Sequence, residues 1–174
     1  MRRFVFALAT VATTALSLPA LAGEQYVDGT GYAVSGYDVV AYHGLTQSAV
    51  GLAQPEGVKG KASITAEWNG ATWAFSTEEN RDKFLADPEF YAPQFDGHCA
   101  YGVSKGGKVP GNPNLWRIVD DKLYLNITRN VVGFWEEDIP GNIDKADGNW
   151  PGIEPNAAST SVIPDFTSSA PVTN

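Results

Sequence analysis

The residues best able to do chemistry sit side by side. The stretch Gly97-His98-Cys99-Ala100-Tyr101-Gly102-Val103-Ser104-Lys105-Gly106-Gly107 holds the only cysteine of the chain and one of its two histidines. A thiol and an imidazole are soft ligands, and each can also serve as a nucleophile or base. Neighbouring side chains diverge on a strand or a helix, so one metal takes both only where the backbone turns; Gly97 permits that turn. A third ligand must come from elsewhere. His43 is the other imidazole, and Asp38 and Asp96 are candidate carboxylates. Cys99, His98 and His43 form a donor set suited to copper, which is favoured, or to zinc as the alternative. No organic cofactor is expected, since the Cys-x-x-Cys-His pattern of attached haem is absent.

Two other chemistries compete. Cys99 with His43 as its base would make a nucleophile, but no protease or transferase signature surrounds it. Dithiol exchange lacks a resolving cysteine. The expectation is therefore no enzyme and no catalytic residue. The alternative to a metal site is a non-enzymatic module in which Cys99 is only packed. Its aromatic pocket, formed by Tyr37, Asp38, Tyr42, Tyr91 and Tyr101, would bind a ligand or partner. In either reading Cys99 lies beneath Tyr37, Tyr42, Phe90, Tyr91 and Tyr101, shielded from solvent.

The elements that must position these groups follow from local pattern. Asn69-Gly70 between the strand-like runs 62–68 and 71–75 signals a hairpin, because a type I′ turn needs positive φ at both central residues. A second hairpin is expected over 115–126 around Asp120-Asp121. Ser76-Thr77-Glu78-Glu79 has capping-box spacing and predicts a helix over 77–86 with Ser76 as N-cap, stopped at Asp87-Pro88. Asp38 caps a short turn, a short helix begins near Cys99, and Thr128 caps a helix carrying Val131, Val132 and Trp135. Pro140 suits a first helical position, with Ile143, Ala146 and Trp150 on one face. These elements predict an α+β domain, a small antiparallel sheet built from two hairpins and packed with several short helices.

Boundaries and compartment follow from composition. Met1-Arg2-Arg3, an apolar run from Phe4 and the ending Ala20-Leu21-Ala22 read as a signal peptide over 1–22, cleaved after Ala22. The adjacent arginines fit twin-arginine export poorly. The expected product is a monomeric periplasmic or secreted protein, not membrane-integral after cleavage. Its domain spans 23–150, and 151–174, rich in Pro, Ser and Thr, is expected to be a disordered tail. The 174-residue chain has 12 basic and 20 acidic residues. Loss of Arg2 and Arg3 leaves 10 basic against the same 20 acidic. That acidic balance excludes nucleic acid as a partner, and leaves a metal ion or another exported protein.

One set of motifs runs in order along the chain: Tyr37-Asp38-Val39-Val40-Ala41-Tyr42; Asn69-Gly70-Ala71-Thr72-Trp73-Ala74-Phe75; Asn80-Arg81-Asp82-Lys83-Phe84; Asp87-Pro88 with Tyr91-Ala92-Pro93-Gln94; Gly97-x-Cys99-Ala100-Tyr101-Gly102-Val103; Trp116-Arg117-Ile118-Val119; Lys122-Leu123-Tyr124-Leu125-Asn126; Trp135; and Ala146-Asp147-x-x-Trp150. Together they resemble exported YHS-domain proteins. The resemblance runs in order up to Pro151. It implies a compact α+β domain and, because YHS domains occur attached to heavy-metal transporters, an association with metals. The chain departs from that family pattern at His43, usually Phe, and at His98, usually an aromatic ring such as Tyr.

Overall fold

The computed structural model describes residues 23–173; the expected signal peptide, 1–22, lies outside them. The chain is an α+β fold with five α-helices and two two-stranded antiparallel sheets among the described residues. Strands β1 (Lys61–Trp68) and β2 (Ala71–Phe75) form the first hairpin. Asn69 and Gly70 take φ of 48° and 70° in its turn. Strands β3 (Asn112–Val119) and β4 (Lys122–Asn126) form the second, and Asp120 and Asp121 reach the same left-handed region without glycine, at 49° and 60°. Short polar side chains tolerate that conformation better than most. The hairpins remain separate sheets, not the one small sheet expected.

The helices are α1 (Glu78–Ala86), α2 (Pro88–Tyr91), α3 (Ala100–Ser104), α4 (Arg129–Glu136) and α5 (Ile139–Ile153). Thr128 caps α4 by accepting from the Val131 N–H, as expected. The cap of α1 is Thr77, which accepts from the Asn80 N–H, rather than Ser76. Ser76 is drawn away by Asp38. The buried Asp38 carboxylate accepts at one oxygen from Ser76 N–H (2.8 Å), Ser76 Oγ–H (2.6 Å) and Asn80 Nδ2–H (2.7 Å). Its other oxygen caps the 41–44 turn through the Val40 and Ala41 N–H groups. One buried charge, fully hydrogen-bonded, thus fixes the start of α1 to the Tyr42-His43 turn.

The core has two clusters. One gathers Tyr37, Val39, Tyr42, Trp73, Phe75, Phe84, Trp116 and Leu125 between the hairpins. The other, Phe95, Ala100, Val103, Tyr124, Trp135 and Ala146, buries the inner faces of α3, α4 and α5, with Ile143 and Trp150 packed alongside. The Ile143-Ala146-Trp150 face of α5 therefore does what its spacing implies.

The segment expected to be a disordered tail is bound to the domain. Helix α5 continues through Pro151 to Ile153, although Pro151 has no N–H to give the helix. Beyond it the chain runs back as a strap. Tyr26 Oη donates to Ser161 O (3.0 Å), Ser168 Oγ to Ser35 O (2.7 Å), and Ala170 enters the first core cluster. Val172 pairs with the entry to β1: its N–H reaches Gly60 O, and its carbonyl accepts from Ala62 N–H, each at 2.8 Å.

Candidate functional site

Cys99 and His98 are placed by an unusual backbone. Phe95, Asp96 and Gly97 take φ of 59°, 52° and 75°, three left-handed residues in succession. At Gly97 a side chain would also meet Gln25 Nε2. This tight turn delivers His98 and Cys99 in extended geometry at the start of α3, so their side chains part. Cys99 is the N-cap of α3: its sulfur accepts from Gly102 N–H (3.4 Å) while the thiol donates to Asn126 Oδ1 (3.4 Å). The same Oδ1 takes the Tyr101 N–H.

His98 turns the other way, toward the strap. Its Nδ1–H donates to Phe95 O (2.9 Å), and its Nε2 accepts from Ser159 N–H (3.1 Å). Tyr26 and Trp150 flank the ring. Both ring nitrogens are committed and the tautomer is fixed by its partners. His43 lies in a third place. It stacks on Phe90 at 5.0 Å and meets Tyr91 edge-on at 5.4 Å. These are contacts an aromatic ring would make, as the resemblance anticipates at that position.

The three expected ligands are thus not brought together. Among the described residues no group of three or more His, Cys, Asp or Glu side chains is arranged to hold a metal ion. The donor set does not fit copper or zinc, each of which needs convergent lone pairs. His98 has none free, and the Cys99 thiol points at an amide.

The aromatic pocket does not assemble either. Tyr37 and Tyr42 are core residues, with Tyr42 Oη donating to Pro113 O (2.8 Å) and its ring edge-on to Trp116. Asp38 is consumed by the network above. Tyr91 packs with His43, while Tyr101 stacks on Phe134 beneath Lys105. Burial of Cys99 is complete, but the five aromatic rings do not form one lid over it.

Burial pushes the Cys99 thiol up, and the backbone N–H groups at the start of α3 only partly offset this. The thiol stays protonated at neutral pH, and His98 cannot take its proton. A thiol-specific reagent is therefore expected to label Cys99 in the native protein at least about a thousandfold more slowly than in denaturant, because access requires opening of the fold. Labelling at comparable rates in the two states would contradict this placement.

The concave feature with ligand-like walls is elsewhere. A cavity of about 210 Å³ lies between the 51–54 loop, β3 and α4, bounded by Leu52, Trp116, Arg117, Asn126, Val132 and Trp135. Its wall contains an ion pair removed from solvent: Arg117 grips Glu136 Oε1 through Nη2 (2.5 Å) and Nε (3.2 Å). Glu136 Oε2 accepts from Gly51 N–H (2.8 Å), and Arg117 Nη1 donates to Ser48 O (3.3 Å), so the pair also ties down the covering loop. Arg129 stands at the rim and makes no ion pair among the described residues. The Trp135 indole N–H is buried without an acceptor. Asn126 links this cavity to Cys99, which is packed behind it.

A second hollow of about 380 Å³ between residues 26–30 and 159–168 is walled in comparable parts by Ser and Thr and by apolar side chains such as Val27, Ile163 and Phe166. Its charged residue, Asp28, is already engaged with Thr30. Several residues of the first cavity drew notice from sequence, Trp116, Arg117 and Asn126 within motifs and Val132 and Trp135 on a helix, but not as one site. The polar partners of Arg117 are Glu136 on α4, 19 residues away, and Ser48 in a loop 69 residues away, and no spacing rule would join them.

In comparisons with known proteins, no family model, no curated protein and no solved structure matches the chain. No helix among the described residues is long and apolar enough to cross a membrane.

Proposed function

We propose that this is an exported, non-catalytic binding module that holds a small organic anion in the cavity beside the Arg117–Glu136 pair. The observation that carries the reading is that cavity's wall: apolar side chains with a buried ion pair and an unpaired arginine at the mouth. Ligand sites take this form, mostly apolar with a few placed polar groups. The volume sets the scale, since a cavity of roughly 150 Å³ accepts benzene; a single ring with one small substituent fits. Arg117 and Glu136 neutralise one another, so Arg129 leaves the mouth cationic. A carboxylate is favoured over an amine, against the acidic character of the rest of the chain.

Export rests on the residue pattern of 1–22, and the want of a protease or transferase signature around Cys99 supports a non-enzymatic role. The copper reading is an arm of the test, because the donor geometry gives it no support.

Gly133 offers a clean probe. It lines the cavity, and a Cβ there would meet nothing within 4 Å. Gly133→Leu should fill the mouth while raising stability by up to about 1 kcal/mol, since glycine is a poor residue for a helix interior. Calorimetry with benzoate, benzylamine and copper(II) should show benzoate binding to the wild type and its loss in Gly133→Leu. Equal benzoate binding by both proteins would sink the proposal, and stoichiometric copper binding lost in Cys99→Ser would restore the metal reading.

A further inference from the structure

We propose that cleavage after Ala22 creates a structural cation: the α-ammonium of Gly23 is held between Glu154 and Asp96, locking the mature N-terminus to the end of α5 and to the 94–97 turn. This goes beyond ligand binding and rests only on the expected processing. Hydrolysis of the Ala22–Gly23 amide by an endoprotease consumes one water. The Ala22 carbonyl carbon takes its oxygen and leaves as a carboxylate, and the Gly23 nitrogen gains two protons to become –NH3+ at neutral pH.

The acceptors are already in place. The Gly23 N–H donates to Glu154 Oε1 at 3.2 Å. Asp96 Oδ2 lies so close to Gly23 that an added Cβ would collide with it and with Glu154, yet this oxygen is buried and accepts no hydrogen bond. An amide nitrogen has one proton to give, and Glu154 takes it. An ammonium has three, enough to reach Asp96 as well. An unpartnered buried carboxylate oxygen is costly, which argues that a donor belongs there. Lys108, the nearest other cation, spends its ammonium on the carbonyls of Glu154 (2.8 Å) and Asn156 (2.6 Å). Burial pushes the Asp96 carboxyl up, with Glu154 adding to the effect and Lys108 opposing it. A second cation at Gly23 would relieve that strain.

Position 23 also has to be glycine for steric reasons, and it stands where the signal pattern ends. The residues after it are sewn in by contacts that converge on the same turn and strap. Gln25 Nε2–H and Tyr26 N–H both donate to Asp96 O, at 2.8 and 2.9 Å. Asn69 Nδ2–H donates to Gly23 O (3.1 Å), and Glu24 accepts from Ala158 N–H (3.0 Å). Processing would therefore complete the fold where N-terminus, α5 and strap meet.

The test compares full-length mature protein beginning at Gly23 with a form retaining Ala22, each verified by intact mass and each made with and without Asp96→Asn. The Gly23 form is expected to melt about 3–8 °C higher than the extended form. Asp96→Asn should lower Tm in the Gly23 form and change it little in the extended one. Acylation of the native α-amine at pH 7 should run at least about tenfold slower than in denaturant. Should Asp96→Asn fail to fold, Glu154→Gln gives the same comparison. Equal melting of the two forms, an equal effect of the substitution in both, or fast acylation of the native amine would overturn the proposal. The mass of protein recovered after export reports the cleavage position separately; a start other than Gly23 would also overturn it, without touching the ligand reading.

Discussion

Arg117→Met is expected to lower the unfolding free energy by about 3–5 kcal/mol in urea titrations, the cost of leaving one member of a buried ion pair alone. The side chains of Arg117 and Glu136 are 7% and 8% exposed, so water cannot replace the lost partner. The guanidinium is also the bidentate clamp on Glu136 and a donor to Ser48 O, and these contacts have no substitute. The double variant Arg117→Met with Glu136→Leu should recover most of the loss, because a well-packed apolar pair avoids the desolvation that the ions incur. The 44–57 loop would lose its anchor at Ser48 in the single variant and those at Ser48 and Gly51 in the double, so its amides should exchange faster in both. A cost below about 1 kcal/mol for Arg117→Met would place the pair in the weak class of exposed ion pairs and contradict its burial.

Acidification should release the strap through His98. Burial, the largest influence, holds its imidazolium pKa down at about 4, with the Phe95 carbonyl acting in the opposite direction. An unfolded histidine titrates near 6.5. The folded value is the lower one, so the stabilisation from a neutral His98 is complete above about pH 6.5. It is lost as pH falls from there toward 4. The total is about 3 kcal/mol for a shift of this size. The strap feels the change directly, because a proton on Nε2 would face the Ser159 N–H that now donates to it. His98→Phe should remove most of the slope in stability between pH 6.5 and 4.5, whatever its effect at neutral pH. His43 is also pushed down by burial, with Asp121 opposing, so His43→Phe is the necessary control and should leave the larger part of the slope. Asp96, pushed up by burial, titrates in the opposite sense. A slope unchanged in His98→Phe would show that the strap does not sense this imidazole.

What could be read from the sequence was whatever local chemistry dictates. Asn69-Gly70 favours a left-handed turn and Asp120-Asp121 tolerates one, and the flanking runs pair as strands across them. Thr128 and the Ile143-Ala146-Trp150 face act within one or two helical turns. The failures are non-local. Ser76 looked like a cap until Asp38, 38 residues away, took its hydroxyl and left Thr77 to do the work. The strap looked disordered because it has almost no charge and no periodicity. It is held largely through its backbone, at Ser159, Ser161 and Val172, which leaves no trace in side-chain pattern. His98 and Cys99 are neighbours in sequence, but the 95–97 turn and the start of α3 send them to opposite partners. Adjacency of two good ligands said nothing about convergence of their lone pairs.

The most direct test of the central claim is chemical-shift mapping of the 15N-labelled protein with benzoate. The cavity reading predicts saturable shifts at the Trp116 and Trp135 indole N–H groups and at the amides of Leu52, Arg129 and Gly133, with benzylamine producing none. Shifts confined to the 26–30 and 159–168 hollow, or no saturable shift up to millimolar benzoate, would contradict it.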